Sequence, residues 1–114
     1  MLKVKFEEAV ERILERDPHY RRGAYAFVRE GLDYTIKHLD KPLTGADRHV
    51  SGRELLDGLR RYAIEEFGPM ASTVLEAWGV QSTEDFGTMV FHLVEEGVLG
   101  KTEERFFELG RQGG

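Results

Sequence analysis

Apolar residues recur along this chain at the three-and-four spacing of amphipathic helices, and proline or glycine cuts the runs at short intervals. In the first run Phe6, Val10, Ile13 and Leu14 share one helical face until Asp17-Pro18 interrupts it. A proline ring crowds the preceding residue out of helical backbone geometry, so a turn is expected near Asp17. The second run extends from about Arg22 to Leu39, with Ala24, Phe27, Val28, Gly31, Leu32, Thr35, Ile36 and Leu39 on one stripe. Arg22, Arg29, Glu30, Asp33 and Lys37 lie on the opposite face. Gly31 costs about 1 kcal/mol of helix propensity relative to alanine, so its place on the apolar stripe predicts a second helix passing close by.

Asp40 to His49 reads as a loop, marked by Pro42 and Gly45. The third helix opens with three agreeing signals. Ser51 can cap the unpaired amides, Glu54 three residues later completes a capping box, and Val50 with Leu55 forms a hydrophobic staple. Leu55, Leu56, Leu59, Tyr62, Ala63 and Phe67 carry its apolar face to Gly68-Pro69. A short fourth helix, about Pro69 to Trp78, is expected to turn Met70, Val74, Leu75 and Trp78 inward. Gly79 would stop it in a left-handed conformation, with Val80 packing back on Leu75. Ser82 or Thr83 then caps a fifth helix whose stripe is Phe86, Met89, Val90, Leu93 and Val94, stopped in the same way by Gly97 and Val98.

The segment after Gly100 has two readings: a short sixth helix from Thr102 carrying Phe106, Phe107 and Leu109, or a hairpin pairing Val98-Leu99 with Phe106-Phe107. Glutamates following a threonine cap favour the helix. The expected architecture is all-α: one domain over residues 1–109, a compact orthogonal bundle of five to six helices, with a disordered tail at 110–114. A third helix, a short fourth, a glycine turn and a fifth would also give the C-terminal half a helix-turn-helix-like order.

Composition narrows the function classes. An apolar fraction of 40% with 11% aromatics supports a real core and argues against disorder of the whole chain. No apolar run approaches the ~20 residues that span a bilayer. The first residues, with Glu7-Glu8, lack the apolar stretch of a signal peptide, so no membrane partner and a cytoplasmic location are expected. With no cysteine, disulfides, thiolate nucleophiles and zinc-thiolate sites are excluded. Charge is unevenly spread: residues 1–61 hold 13 Lys/Arg against 11 Asp/Glu, and residues 62–114 hold 3 against 10. The acidic half repels phosphate backbones and is either a solvated surface or a face suited to a basic partner.

No catalytic constellation is legible, and the leaning is towards a protein that is not an enzyme. Ser51 is explained by its cap, and Ser72 and Ser82 lack the glycine setting of an esterase elbow. Adjacent carboxylates such as Glu65/Glu66 and Glu95/Glu96 point about 100° apart on a helix, as solvated surface does. His38, Asp40, Asp47 and His49 offer imidazole and carboxylate but match no standard metal-ligand motif, so no metal and no cofactor is expected, and a small metal- or anion-binding protein using residues 38–53 stands as an alternative. His19 and His92 have no partner in sequence and read as ordinary surface or half-buried residues.

No nucleic-acid contact is expected through helix five, which carries Glu84, Asp85, Glu95 and Glu96 and no Lys or Arg. A basic loop and third helix, with Lys37, Lys41, Arg48, Arg53, Arg60 and Arg61, is the alternative nucleic-acid or ribosome surface, weakened by interleaved aspartates. The expected partner is another protein or a second copy of the chain, through Phe91, Phe106 and Phe107. Phe91 sits about 120° from the centre of its helix's apolar stripe, and the other two lie in a segment too short to bury both easily. Arg48, His49 and Arg53 flank the start of the third helix, where amides and dipole favour negative charge, and form the candidate anion-binding site.

Several runs together resemble a family of uncharacterised bacterial proteins from planctomycetes and verrucomicrobia. They are Ala24-Tyr25-x-Phe27-Val28, Leu32-Asp33-Tyr34-Thr35, Arg48-His49-Val50-Ser51-Gly52-x-Glu54-Leu55-Leu56, Phe67-Gly68-Pro69-Met70-Ala71, Val74-Leu75-x-x-Trp78-Gly79, Ser82-Thr83-x-Asp85-Phe86-Gly87 and Leu99-Gly100-Lys101-Thr102. The resemblance covers roughly residues 10–105 and implies no reaction, substrate or cofactor.

Overall fold

The computed structural model describes residues 2–39, 49–102 and 105–108, with backbone alone at a few of them. The protein is mostly helical. Helix α1 (Leu2–Arg16) ends where expected: the Asp17 amide still donates to the Ile13 carbonyl, and after Pro18 the His19 amide turns back onto the Asp17 carboxylate. Helix α2 (Arg22–His38) follows, then a two-residue strand β1 (Val50–Ser51) running directly into α3 (Gly52–Phe67). A 3-10 turn (Gly68–Met70) leads to α4 (Ala71–Ala77), and α5 (Thr83–Glu95) completes the helices.

The α3 start is built as its sequence dictates. The Glu54 amide donates to Ser51 Oγ at 3.0 Å and the Ser51 amide donates to Glu54 Oε1 at 2.9 Å, while the staple residues Val50 and Leu55 are both buried. Both glycine stops form too. Gly79 and Gly97 take positive φ of 92° and 80°, and the amides of Val80 and Val98 reach back to the Leu75 and Leu93 carbonyls at 2.8 and 3.1 Å.

Two assignments need correction. The segment from Thr102 is not a sixth helix but part of a hairpin, β2 (Leu99–Thr102) with β3 (Arg105–Glu108). Its register pairs Leu99 with Glu108 and Lys101 with Phe106, so the hairpin reading was right in kind and shifted in detail. The deciding interaction is remote: β3 also pairs antiparallel with β1, giving a three-stranded sheet in the order β1-β3-β2, and Phe106 packs on the core beside Gly52. The tail expected at 110–114 lies outside the described residues, as do Leu109 and residues 40–48 of the expected loop. The other correction concerns Met70, which is exposed in the 3-10 turn and not turned inward.

The core gathers Val10 and Ile13 of α1, Tyr25, Val28, Leu32 and Ile36 of α2, Leu55 and Leu59 of α3, Met89 and Leu93 of α5, and Leu99 of β2. Helices α2 and α3 cross without spacer. A Cβ on Gly31 would lie 2.2 Å from Leu59 Cδ2, and one on Gly58 only 1.8 Å from Thr35 Oγ1. The close approach read from Gly31 is therefore real, and its partner is α3. Phe27 holds the far end of this crossing within an aromatic group of Tyr62, Phe67, Trp78 and Phe86.

Candidate functional site

One face of α3 packs on α2; another borders an open groove of about 1040 Å³ shared with α4 and the start of α5. Leu59, Ala63, Leu75, Val80 and Phe86 supply apolar surface within it. Leu56 and Ile64 line it from α3 and are exposed, Ile64 to 58%. Polar lining comes from Arg53, Asp57 and Arg60 on α3, from Ser72 and Glu76 on α4, and from Gln81, Ser82 and Thr83 before and at the start of α5. Asp57 is engaged by Arg60 at 3.4 Å on its own helix. Arg53 and Glu76 make no ion pair among the described residues. The sequence placed Leu56 with the buried stripe because it follows Leu55. One residue is about 100° of helix, and that rotation carries Leu56 out to the groove.

A polar cluster reaches into the core between α1, α2 and α5. His92, read from sequence as a residue without a partner, is buried; its Nδ1 lies 3.0 Å from the Tyr25 hydroxyl and its Nε2 is 3.6 Å from an Asp17 carboxylate oxygen. Asp, His and Tyr in line suggest a nucleophile relay, but Tyr25 is fully buried and burial pushes its hydroxyl pKa upward, so its oxygen keeps its proton and meets no substrate. Nearby, the Tyr20 hydroxyl donates to Asp85, whose carboxylate also accepts from the amides of Gln81 (2.8 Å) and Ser82 (3.1 Å). Those bonds, the Tyr20 one first, hold the Asp85 carboxyl below its usual range, and burial together with Asp85 pushes Tyr20 up to about 12. Glu96 is likewise depressed by Arg12 and Arg16, which reach it at 2.7 and 2.6 Å and tie α1 to the end of α5. These groups hold helices together. Partners 65 to 84 residues apart in sequence left no local signal.

The residues singled out from sequence fall into different settings. Phe91 is exposed to 59% on α5, whereas Phe106 is half-buried against the core. Phe107 is placed only by its backbone, opposite Gly100. Arg53 stands at the groove and His49 is half-buried before β1, while Arg48 lies outside the described residues. At that helix start the Ser51 and Glu54 amides are already occupied by the capping box, so an anion there would compete with the Glu54 carboxylate. Of the metal-candidate group, Asp40 and Asp47 lie outside the described residues. His38 stacks on Tyr34, with its Nδ1 3.0 Å from the Tyr34 carbonyl oxygen. Among the described residues no three His, Asp or Glu side chains converge as a metal site would require. The candidate basic surface is partly neutralised, since Lys37 pairs with Asp33 and Arg60 with Asp57. Among the described residues, no helix is long and apolar enough to cross a membrane. Comparison of the chain with protein-family models, curated proteins and solved structures finds no match.

Proposed function

We propose that this protein is a small cytoplasmic interaction module without catalytic activity, and that its contact surface is the groove between α3, α4 and α5. The supporting observation is the exposure of Leu56 and Ile64 beside a groove of about 1040 Å³ with apolar walls. Large aliphatic side chains lose about 25 cal/mol for each Å² of apolar surface left in water, and exposed apolar patches rimmed by polar residues mark sites of association. The contact therefore shifts from the aromatic trio to α3; Phe91 remains as a separate exposed ring on α5.

In this reading the bundle is orthogonal, and α4, the Gly79 turn and α5, followed by the β2–β3 hairpin, form a helix-turn-helix-like half turned to protein contacts. The exposed residues of α5, Thr83, Glu84, Gly87, Thr88, Phe91 and Glu95, offer phosphate no cation. We also retain membership of the planctomycete and verrucomicrobial family that the sequence runs resemble.

The test is panning of a random phage-displayed peptide library on the immobilised protein, with counter-selection on a Leu56→Asp/Ile64→Asp double variant. Enriched clones should bind the unaltered protein and lose the variant. Clones that bind both equally, or a library that yields none, would overturn the reading. A labelled DNA duplex at low ionic strength should show no anisotropy change.

A further inference from the structure

We infer that the groove takes one amphipathic α-helix of about three turns from another protein, acidic along the edge that meets α3 and basic along the edge that meets α4. This rests on the reading of the groove as a docking surface and adds the chemistry of its occupant. Length comes first. The α3 lining runs from Arg53 to Ile64, which at 1.5 Å per residue is about 17 Å, or three helical turns.

The lining decides the class of partner. The groove is walled by α3, α4, the start of α5 and the short Val80–Ser82 connection, whose amides are bonded to Leu75 and Asp85, and none of its lining belongs to a strand, so no strand edge is presented for an extended peptide to extend. Apolar floor with exposed aliphatic side chains at the border suits an apolar stripe recurring every three or four residues.

Charge then orients it. Asp57 is held by Arg60 and the Glu54 carboxylate by the Ser51 amide, which leaves Arg53 on the α3 wall and Glu76 on the α4 wall to be matched. No Lys or Arg occurs between Tyr62 and Gly100, so the α4–α5 wall has no cation of its own to satisfy Glu76. A partner carboxylate opposite Arg53 and a partner cation opposite Glu76 complete both. Neither α5 nor α1 of a second copy matches this pattern: the exposed face of α5 carries Glu84 and Glu95 around Phe91 with no base, and from Lys5 onward the exposed residues of α1 are all charged.

The experiment titrates the full-length, 15N-labelled protein with three stapled helical peptides of 14 residues. One has a leucine stripe flanked by Glu on one edge and Lys on the other, one has the Lys edge changed to Glu, and one has a scrambled stripe. The first should shift the amides of Leu56, Ile64, Leu75 and Phe86 saturably, and the scrambled peptide should not. Glu76→Lys should weaken the first peptide by about threefold to fivefold, the range of an exposed ion pair, and the all-Glu peptide should recover that loss on the variant. Equal binding of both charge patterns to both proteins would overturn the assigned charges. If no helical peptide moves these amides while library-selected clones still lose the double variant, the occupant is not a helix, and the docking reading survives alone. Sedimentation showing a dimer that Ile64→Asp dissolves would make the occupant a second copy and overturn the inference.

Discussion

Helix α3 has two long faces built to opposite standards. Towards α2 it is packed so closely that neither Gly31 nor Gly58 can carry a Cβ without displacing Leu59 or Thr35. Towards α4 and α5 it leaves Leu56 and Ile64 in solvent beside an open groove. Both faces carry large aliphatic residues, but the groove side interleaves Leu56 and Ile64 with Arg53, Asp57 and Arg60, and only the α2 side is closely packed. Protein interiors tolerate few voids, and the α2 side of α3 meets that standard while the groove side stays open to solvent.

The strongest way to break this contrast is to spoil the packed face. Gly58→Ala drives a methyl into Thr35 Oγ1 and Cβ, neither of which can swing away, because Thr35 is buried and donates to the Gly31 carbonyl at 2.6 Å. We expect a loss of about 3 kcal/mol in urea unfolding, the upper range of overpacking costs. Gly31→Ala should cost much less, since the obstructing atom is the end of the Leu59 side chain and the helix gains about 1 kcal/mol of propensity. Equal losses at the two glycines would contradict the crossing described.

Ser51→Ala removes the cap that fixes both faces at their start and should cost about 1 kcal/mol, read as a lower melting temperature. Alkali supplies a gentler probe of the packed side. Burial and the bond to Glu30 raise the Tyr62 pKa to about 12, above the ordinary value of 10. A raised folded-state value means the contribution is complete below pH 10 and is lost as pH climbs towards 12. Unfolding midpoints of the unaltered protein should fall over that window, and those of Tyr62→Phe should fall less. On the groove side, Ile64→Asp should change stability by no more than about 0.5 kcal/mol, since nothing packed is disturbed. A large loss there would mean that the groove face is structural.

The sequence made most of the helices legible because each boundary has a local cause: Asp17-Pro18, the Ser51 and Glu54 box, and the glycines at 79 and 97. Gly31 announced the α2–α3 crossing, and its counterpart Gly58 carried the same signal unread. What escaped is what depends on remote partners. Thr102-Glu103-Glu104 has a helix-start composition, yet β3 pairs with a strand more than fifty residues earlier, and that pairing overrides local preference. Periodicity ranked Leu56 with Leu55 because apolar spacing does not say which of two adjacent stripes a neighbour will cover. His92 gave no hint of Tyr25 or Asp17 for the same reason.

The strand order β1-β3-β2 has a consequence for how the molecule is made. The central strand is the last of the three to leave the ribosome, and β1 and β2 do not touch without it. The Ser51–Glu54 capping box is local and closes with α3 itself, whereas the pairing of Val50 and Ser51 with Phe106 and Arg105 forms only after α3, α4 and α5 have all been made.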